Sequence, residues 1–205
     1  MDGVLFDSVT IAENAFLEDY PYLTKNHLKE LLTGNIHEEI EKFKLNYTAV
    51  IRTEEEKESR RLTYSQQKLE VGMYEGMLEL LKFLKQKGYI LTINSSALER
   101  NLLPLLEKAC IRDMFDWVAS AEVSRSKFEK FNMIEEKYQL KKEDMLFITD
   151  TLGDIREADR AKIPTVGVLW GSHDESFITR ELHENLKGIV SSPTELQDFI
   201  LEYYE

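Results

Sequence analysis

From Tyr74 to the C-terminus, apolar runs of strand length alternate with amphipathic stretches of helix length. Two of these runs end abruptly in polar residues. Tyr89-Ile90-Leu91-Thr92-Ile93 is followed by Asn94-Ser95-Ser96, and Met145-Leu146-Phe147-Ile148-Thr149 by Asp150-Thr151-Leu152-Gly153-Asp154. Segments 117–120 and 165–169 read as two more strands, with Ile189-Val190 as a last short one. Between and around them, segments 77–87, 98–109, 128–138, 155–161 and 195–201 have helical periodicity; in the first, Leu80, Leu81 and Leu84 share a face and Gly88 suits the C′ position. This alternation restricts the chain to an α/β fold, a doubly wound parallel sheet with right-handed crossovers. Ligands of such sheets bind beyond the carboxyl ends of the strands, which is where the polar residues fall.

Residues 10–71 have a different texture. They are highly charged and helical in pattern, with no strand signal: helix starts near Thr10, apolar positions at helical spacing over 27–32 and 36–43, and three acids after Thr53 where a helix dipole favours them. They read as a helical module inserted into an α/β core made of residues 1–9 and 72–205. No repeat, low-complexity tract or linker divides the chain further.

The balance of 26 Lys and Arg against 38 Asp and Glu gives a net charge of −12, which disfavours nucleic acid and anionic membrane as partners. No run approaches the roughly 20 apolar residues of a membrane span. The single cysteine, Cys110, permits no internal disulfide and fits a reducing cytoplasm; its apolar helical surroundings place it in the core. An anionic substrate would need local donors or a metal to overcome the acidic background.

The strand ends supply both. Asp2, Asp150 and Asp154 are hard oxygen donors suited to Mg²⁺, which neutralises phosphate oxygens that carboxylates alone would repel. Ser95 and Ser96, with backbone N–H groups at a helix start, suit a phosphate oxygen. Lys127 supplies a point charge, with Lys130 as the alternative. The four histidines (27, 37, 173 and 183) show no ligand spacing and read as structural or exposed, Asp7 as a capping or flap residue, and Trp170 as packing at the site rim.

Taken in order, Asp2-Gly3-Val4-Leu5, Ser95, Lys127, and Asp150 with Asp154 resemble the four motifs of the haloacid dehalogenase superfamily, and the helical insertion resembles the type-1 cap of its phosphoglycolate phosphatase-like and β-phosphoglucomutase-like branch. The resemblance implies a Rossmann-like core, a small phosphorylated substrate, Mg²⁺ and an aspartyl-phosphate intermediate. It casts Asp2 as general acid/base and, through its carbonyl, as metal ligand, Asp150 and Asp154 as metal ligands or water-orienting groups, and Ser95, Ser96 and Lys127 as phosphate binders. Two departures stand out: Phe128 replaces the usual proline after the lysine, and the spacing from Lys127 to Asp150 is short. The nucleophilic aspartate would fall one position before Met1, on a central strand. The economical expectation is therefore that the natural start lies upstream, because a central strand buries about four apolar side chains worth ~1.5–3 kcal/mol each, and its loss exposes two strand edges. A non-catalytic binding protein and a phosphomutase remain alternatives; a receiver-type signalling domain fits less well, since it lacks a large helical insertion. Substrate identity and oligomeric state are left open.

Overall fold

The computed structural model describes residues 1–204. After a tight N-terminal turn come four helices, α1 (Val9–Asp19), α2 (Lys25–Leu31), α3 (Ile36–Asn46) and α4 (Glu54–Glu70). The chain then alternates through α5 (Met77–Gln86), β1 (Thr92–Asn94), α6 (Glu99–Lys108), β2 (Trp117–Ala119), α7 (Lys127–Tyr138), β3 (Phe147–Thr149), α8 (Leu152–Ala161), β4 (Thr165–Val168), the short α9 (Glu175–Ile178), β5 (Leu186–Val190) and α10 (Pro193–Tyr204). This is the expected α/β architecture, and every strand pairing is parallel. No helix among the described residues is long and apolar enough to cross a membrane.

The strands form two sheets, β1-β2 and β3-β4-β5. Successive strand residues point to opposite faces, and here they feed two separate apolar clusters. Val118 and Ile148 enter one with Leu80, Leu81 and Leu84 of α5; Trp117 and Phe147 pack on the other with Phe131 and Ile134 of α7. Because both sheets contribute to both clusters, they are sections of one layer with helices on either side. β1 pairs only with β2 and β3 only with β4, so each keeps one edge without a neighbouring strand.

Strands are shorter than the apolar runs for local reasons. Ahead of β1, the Leu91 N–H donates to the Asp116 carboxylate at 2.9 Å, not to a neighbouring strand. Ahead of β3, a 3-10 turn over Lys142–Asp144 ends just short of Met145. The starts of α7 and α8 fall earlier than periodicity suggests because hydroxyls cap them. Ser126 Oγ accepts from the Glu129 N–H at 3.3 Å and Thr151 Oγ1 from the Asp154 N–H at 3.4 Å, which puts Lys127 and Asp154 in the first turns of α7 and α8. Cys110 departs from expectation: it lies just past α6 at φ 55° and is exposed. The chain must leave the helix there, and the left-handed residue that ends it turns outward.

The four-helix insertion is thinly cored. α1 and α3 fully bury no residue. Rings of Phe16, Tyr20, Phe43 and Tyr47 hold the insertion together at centroid separations of 4.3 to 5.7 Å, with Arg60 and Arg52 on Asp19 at 2.8 and 2.5 Å. A Thr53–Glu56 capping box starts α4, as its sequence suggests. The insertion joins the core where Phe6 bridges Met73; the Asp7 N–H donates to Gly72 O at 3.1 Å and the Tyr74 N–H to Leu5 O at 3.0 Å. A second seam runs along the α2–α3 loop. There the Gly153 N–H donates to Leu32 O at 3.0 Å, Arg156 donates to Thr33 O, and Asn35 Nδ2 donates to Glu157 Oε2 at 3.1 Å.

Candidate active site

The carboxyl ends of β1 and β3 meet through one lysine. Lys127 is 4% exposed, and its ammonium donates to Asn94 O at 3.1 Å while lying 3.4 Å from Asp154 Oδ2. Its backbone N–H, at the start of α7, donates to Glu157 Oε1 at 2.9 Å, a carboxylate held where the helix dipole favours it. Lys130, one turn on, is fully buried and turned away from the carboxylates; its ammonium donates to Ser95 O at 2.6 Å and also to Ser120 O. Burial, with Lys127 adding like charge, pulls Lys130 down to about 7.

Asp150 ends β3 in a crowded place. It is buried, and Oδ2 accepts from the Ser172 N–H at 2.8 Å. Gly3 sits against it at φ 68°, so that a β-carbon there would lie 1.9 Å from Asp150 Oδ2; only glycine tolerates both the dihedral and the approach. Burial raises the Asp150 carboxyl, Asp154 adds to the rise, and the Ser172 N–H and the chain's α-ammonium counter it incompletely. Asp154 Oδ2 accepts from the Thr149 hydroxyl at 2.9 Å. The α-ammonium of Met1 interacts with Asp2, Asp150, Asp154 and Lys127, which places the N-terminus at the same point; its own affinity for protons is lowered by burial.

Asp2 accepts from Ser8 Oγ at 2.7 Å and pairs with Lys68 at 2.6 Å. Burial pushes its carboxyl up, but Lys68, the α-ammonium and the Ser8 hydroxyl outweigh this and hold it below the usual carboxylate range. Ser95 is buried, with Oγ accepting from the Ala97 N–H at 3.1 Å. It does not cap α6, whose N-cap is Leu98 without a side-chain bond. Ser96, next along, is half-buried.

Asp2, Ser95, Lys127, Asp150 and Asp154 are thus gathered at one edge of the layer. Among the described residues, no group of three or more His, Cys, Asp or Glu is assembled closely enough to hold a metal by itself. Sequence reasoning missed Lys68, the only fully buried residue of α4, which brings a cation from the insertion to Asp2. In a helix this rich in charge, nothing in the sequence separates that lysine from its solvated neighbours. Glu157, which ties α7 to the insertion, was equally silent.

His173 is a structural histidine, one of the two roles expected of it. It is fully buried; Nδ1 accepts from the Leu152 N–H and Nε2 donates to Lys29 O, each at 2.9 Å, so one ring joins core and insertion. Trp170 packs at the rim as expected, its indole donating to Val4 O at 3.1 Å beside Tyr74. Asp7 accepts from the Tyr74 hydroxyl at 3.4 Å.

Known structures share the fold. A haloacid dehalogenase-like hydrolase from Streptococcus pneumoniae superposes with a TM-score of 0.73 at 16% identity, covering 98% of this chain and 95% of that one. A hydrolase from Pseudomonas syringae gives 0.75 at 18%, with the same coverage of 98% and 95%. CbbY from Rhodobacter sphaeroides, solved in complex with phosphate, gives 0.74 at 17%, covering 96% and 93%. At these identities the likeness establishes the fold. No curated protein matches the sequence. The family model for haloacid dehalogenase-like hydrolases matches residues 1–168, and the chain belongs to that family.

Proposed function

We propose that the chain is the scaffold of a Mg²⁺-dependent phosphohydrolase that acts on a small phosphorylated metabolite in the cytoplasm. In this reading residues 1–9 and 72–205 are the core and residues 10–71 the cap. The observation that carries it is Lys127, whose ammonium ties the end of β1 to Asp154 in the first turn of α8, just past β3 and beside Asp2. Lys127 and Ser95 would hold the phosphoryl group, with Ser96 adding its backbone; Lys130, committed to Ser95 O, shapes the loop behind them.

The acidic groups fit a hard divalent cation. Asp150 is buried, no side-chain cation pairs with it among the described residues, and its ionised form is disfavoured where it stands. Asp2, Asp150 and Asp154 offer only oxygen, and Mg²⁺ ordinarily keeps several waters, so a full protein cage is not required. When bound, the cation would offset the charge of the phosphate oxygens. In this reading Asp2, ionised and held by Lys68 and Ser8, would act as the base that takes a proton from the attacking water, and Lys68 brings the cap to the same atom.

The reading needs an aspartate to carry the phosphoryl group, and by the family resemblance its position directly precedes Met1. The test joins an apolar strand ending in aspartate ahead of Met1 and follows Mg²⁺-dependent hydrolysis of p-nitrophenyl phosphate. Turnover with the joined strand, lost at least 100-fold on Asp150→Asn, is the expected result. Absence of turnover, with inorganic phosphate bound and Lys127 required for that binding, would favour the alternative of a non-catalytic phosphate-binding protein.

A further inference from the structure

Helix α8 presents two acids one turn apart, Asp154 and Glu157, to the start of α7. Asp154 lies 3.4 Å from the Lys127 ammonium, whereas Glu157 Oε1 accepts the Lys127 backbone N–H at 2.9 Å. The second Glu157 oxygen accepts from Asn35 Nδ2 at 3.1 Å. Asn35 is the N-cap of α3, and the same Nδ2 donates to Arg125 O at 3.0 Å, two residues ahead of Lys127. One carboxylate therefore joins the insertion to the backbone of the lysine. Glu157 is buried, and no cationic side chain pairs with it among the described residues. Two neutral donors offset the burial of a charge less than a cation would. Beside an anion site its charge also works against binding. Charge thus does not account for Glu157, and its two bonds remain.

The other polar groups of Lys127 are committed too. Its carbonyl accepts from Asn94 Nδ2 at 3.3 Å, and its ammonium donates to Asn94 O at 3.1 Å. An ammonium has three donors; with Asn94 O and Asp154 served, one is left for an incoming anion. Where that donor points follows the first turn of α7, which Glu157 holds through the Lys127 N–H and Asn94 through the carbonyl. We infer that Glu157 is a positioning residue for phosphate binding: it sets the Lys127 ammonium through the first turn of α7 and, through Asn35, makes that setting depend on the insertion being docked against α8. The inference rests on the proposed role of Lys127 in holding the phosphoryl group. Glu157 acts through the lysine and touches no reacting atom.

The test is calorimetric titration of residues 1–205 with inorganic phosphate in buffer containing Mg²⁺, beside the NMR resonances of the Lys127 amide and Nζ without ligand. Glu157→Gln keeps the shape but can satisfy only one of the two donors. Asn35→Ser keeps a good N-cap for α3 and removes the arm to Glu157. If Glu157 acted by charge alone, Glu157→Gln would tighten phosphate binding, because a like charge has gone. Positioning predicts the opposite sign: binding weakened roughly tenfold, the order of one charged hydrogen bond. Asn35→Ser should weaken binding comparably, shift both Lys127 resonances, and add nothing further in the double variant. Should Glu157→Gln fail to fold, Asn35→Ser carries the test. Tighter or unchanged binding with Glu157→Gln, unmoved Lys127 resonances in Asn35→Ser, or additive losses in the pair would overturn the inference. Absence of phosphate binding by the parent, or binding that survives Lys127→Met, counts instead against the phosphohydrolase reading, and the Lys127 resonances in Asn35→Ser then decide whether Glu157 sets the lysine.

Discussion

Lys68, the one fully buried residue of helix α4, points its ammonium at Asp2 Oδ1 from 2.6 Å across the boundary between insertion and core. The lysine side chain is 4% exposed and the aspartate 37%, so the pair is dry on one side and wet on the other. A double-mutant cycle with Lys68→Met and Asp2→Asn should give a coupling of about 1–2 kcal/mol in urea unfolding, below the value of a fully buried pair because solvent screens Asp2. Additive single changes would show that the two groups do not support each other.

Gly153 makes the seam between core and insertion possible. A β-carbon there would stand 2.2 Å from Gly34 O, a backbone atom that cannot move aside alone. Helix propensity by itself predicts that Gly153→Ala stabilises by ~1 kcal/mol. The contact reverses the sign: the variant should lose roughly 1–3 kcal/mol and be cut faster by protease within residues 10–71. A stabilised variant with unchanged cleavage would mean that the seam is loose.

Lys130 gives stability a measurable dependence on alkaline pH. Its folded value is about 7 against an ordinary 10.5. Between these values the unfolded chain holds a proton that the folded one has released, so stability rises with pH across that window, by up to about 1.4 kcal/mol per unit. The gain is complete near the unfolded value, and the full burial penalty is present below the folded one. Subtracting the profile of Lys130→Met from that of the parent isolates the slope; parallel profiles would show that the ammonium is not strained.

His173 acts at the acid end. Burial lowers its affinity for protons below the ordinary 6.5, and its two bonds require the neutral ring, with Nδ1 accepting and Nε2 donating. As pH falls below 6.5 the unfolded chain gains a proton that the folded one refuses, so stability declines on acidification. His173→Phe should cost about 1–3 kcal/mol at neutral pH, because it strands the Leu152 N–H and Lys29 carbonyl. It should also flatten the acid limb between pH 5 and 6.5, which denaturant titrations at several pH values would reveal.

Much of this was legible from the sequence because it depended on local pattern. Strand-length runs stopping at Ser95 and Asp150 located the site edge, and Asp154 and Lys127 followed from their positions just after such runs. What the sequence could not show depended on distant partners. Lys68 looks like its charged neighbours in α4 until tertiary packing brings it to Asp2, and His173 looks isolated until Leu152 and Lys29 converge on it. Cys110 was misplaced because hydrophobic surroundings do not reveal where a chain turns out of its helix. The choice between Lys127 and Lys130, open in sequence, rests on a single helical turn: one ammonium faces Asp154 and the other the Ser95 carbonyl.

The two attachments of the helical insertion differ in kind. At Phe6 and Met73 it is fastened by the covalent chain, doubled by a short antiparallel bridge; along Leu32–Asn35 it is held by hydrogen bonds, chiefly to α8 and its flanks, with ion pairs from Lys29 to Asp174 and from Glu30 to Arg180 beside them. Any swing of the insertion relative to the core would have to pivot at the Phe6–Met73 bridge, where the dihedral change would be confined to a few residues. Such a swing would have to break the bonds along Leu32–Asn35 and the His173 bond to Lys29 O together.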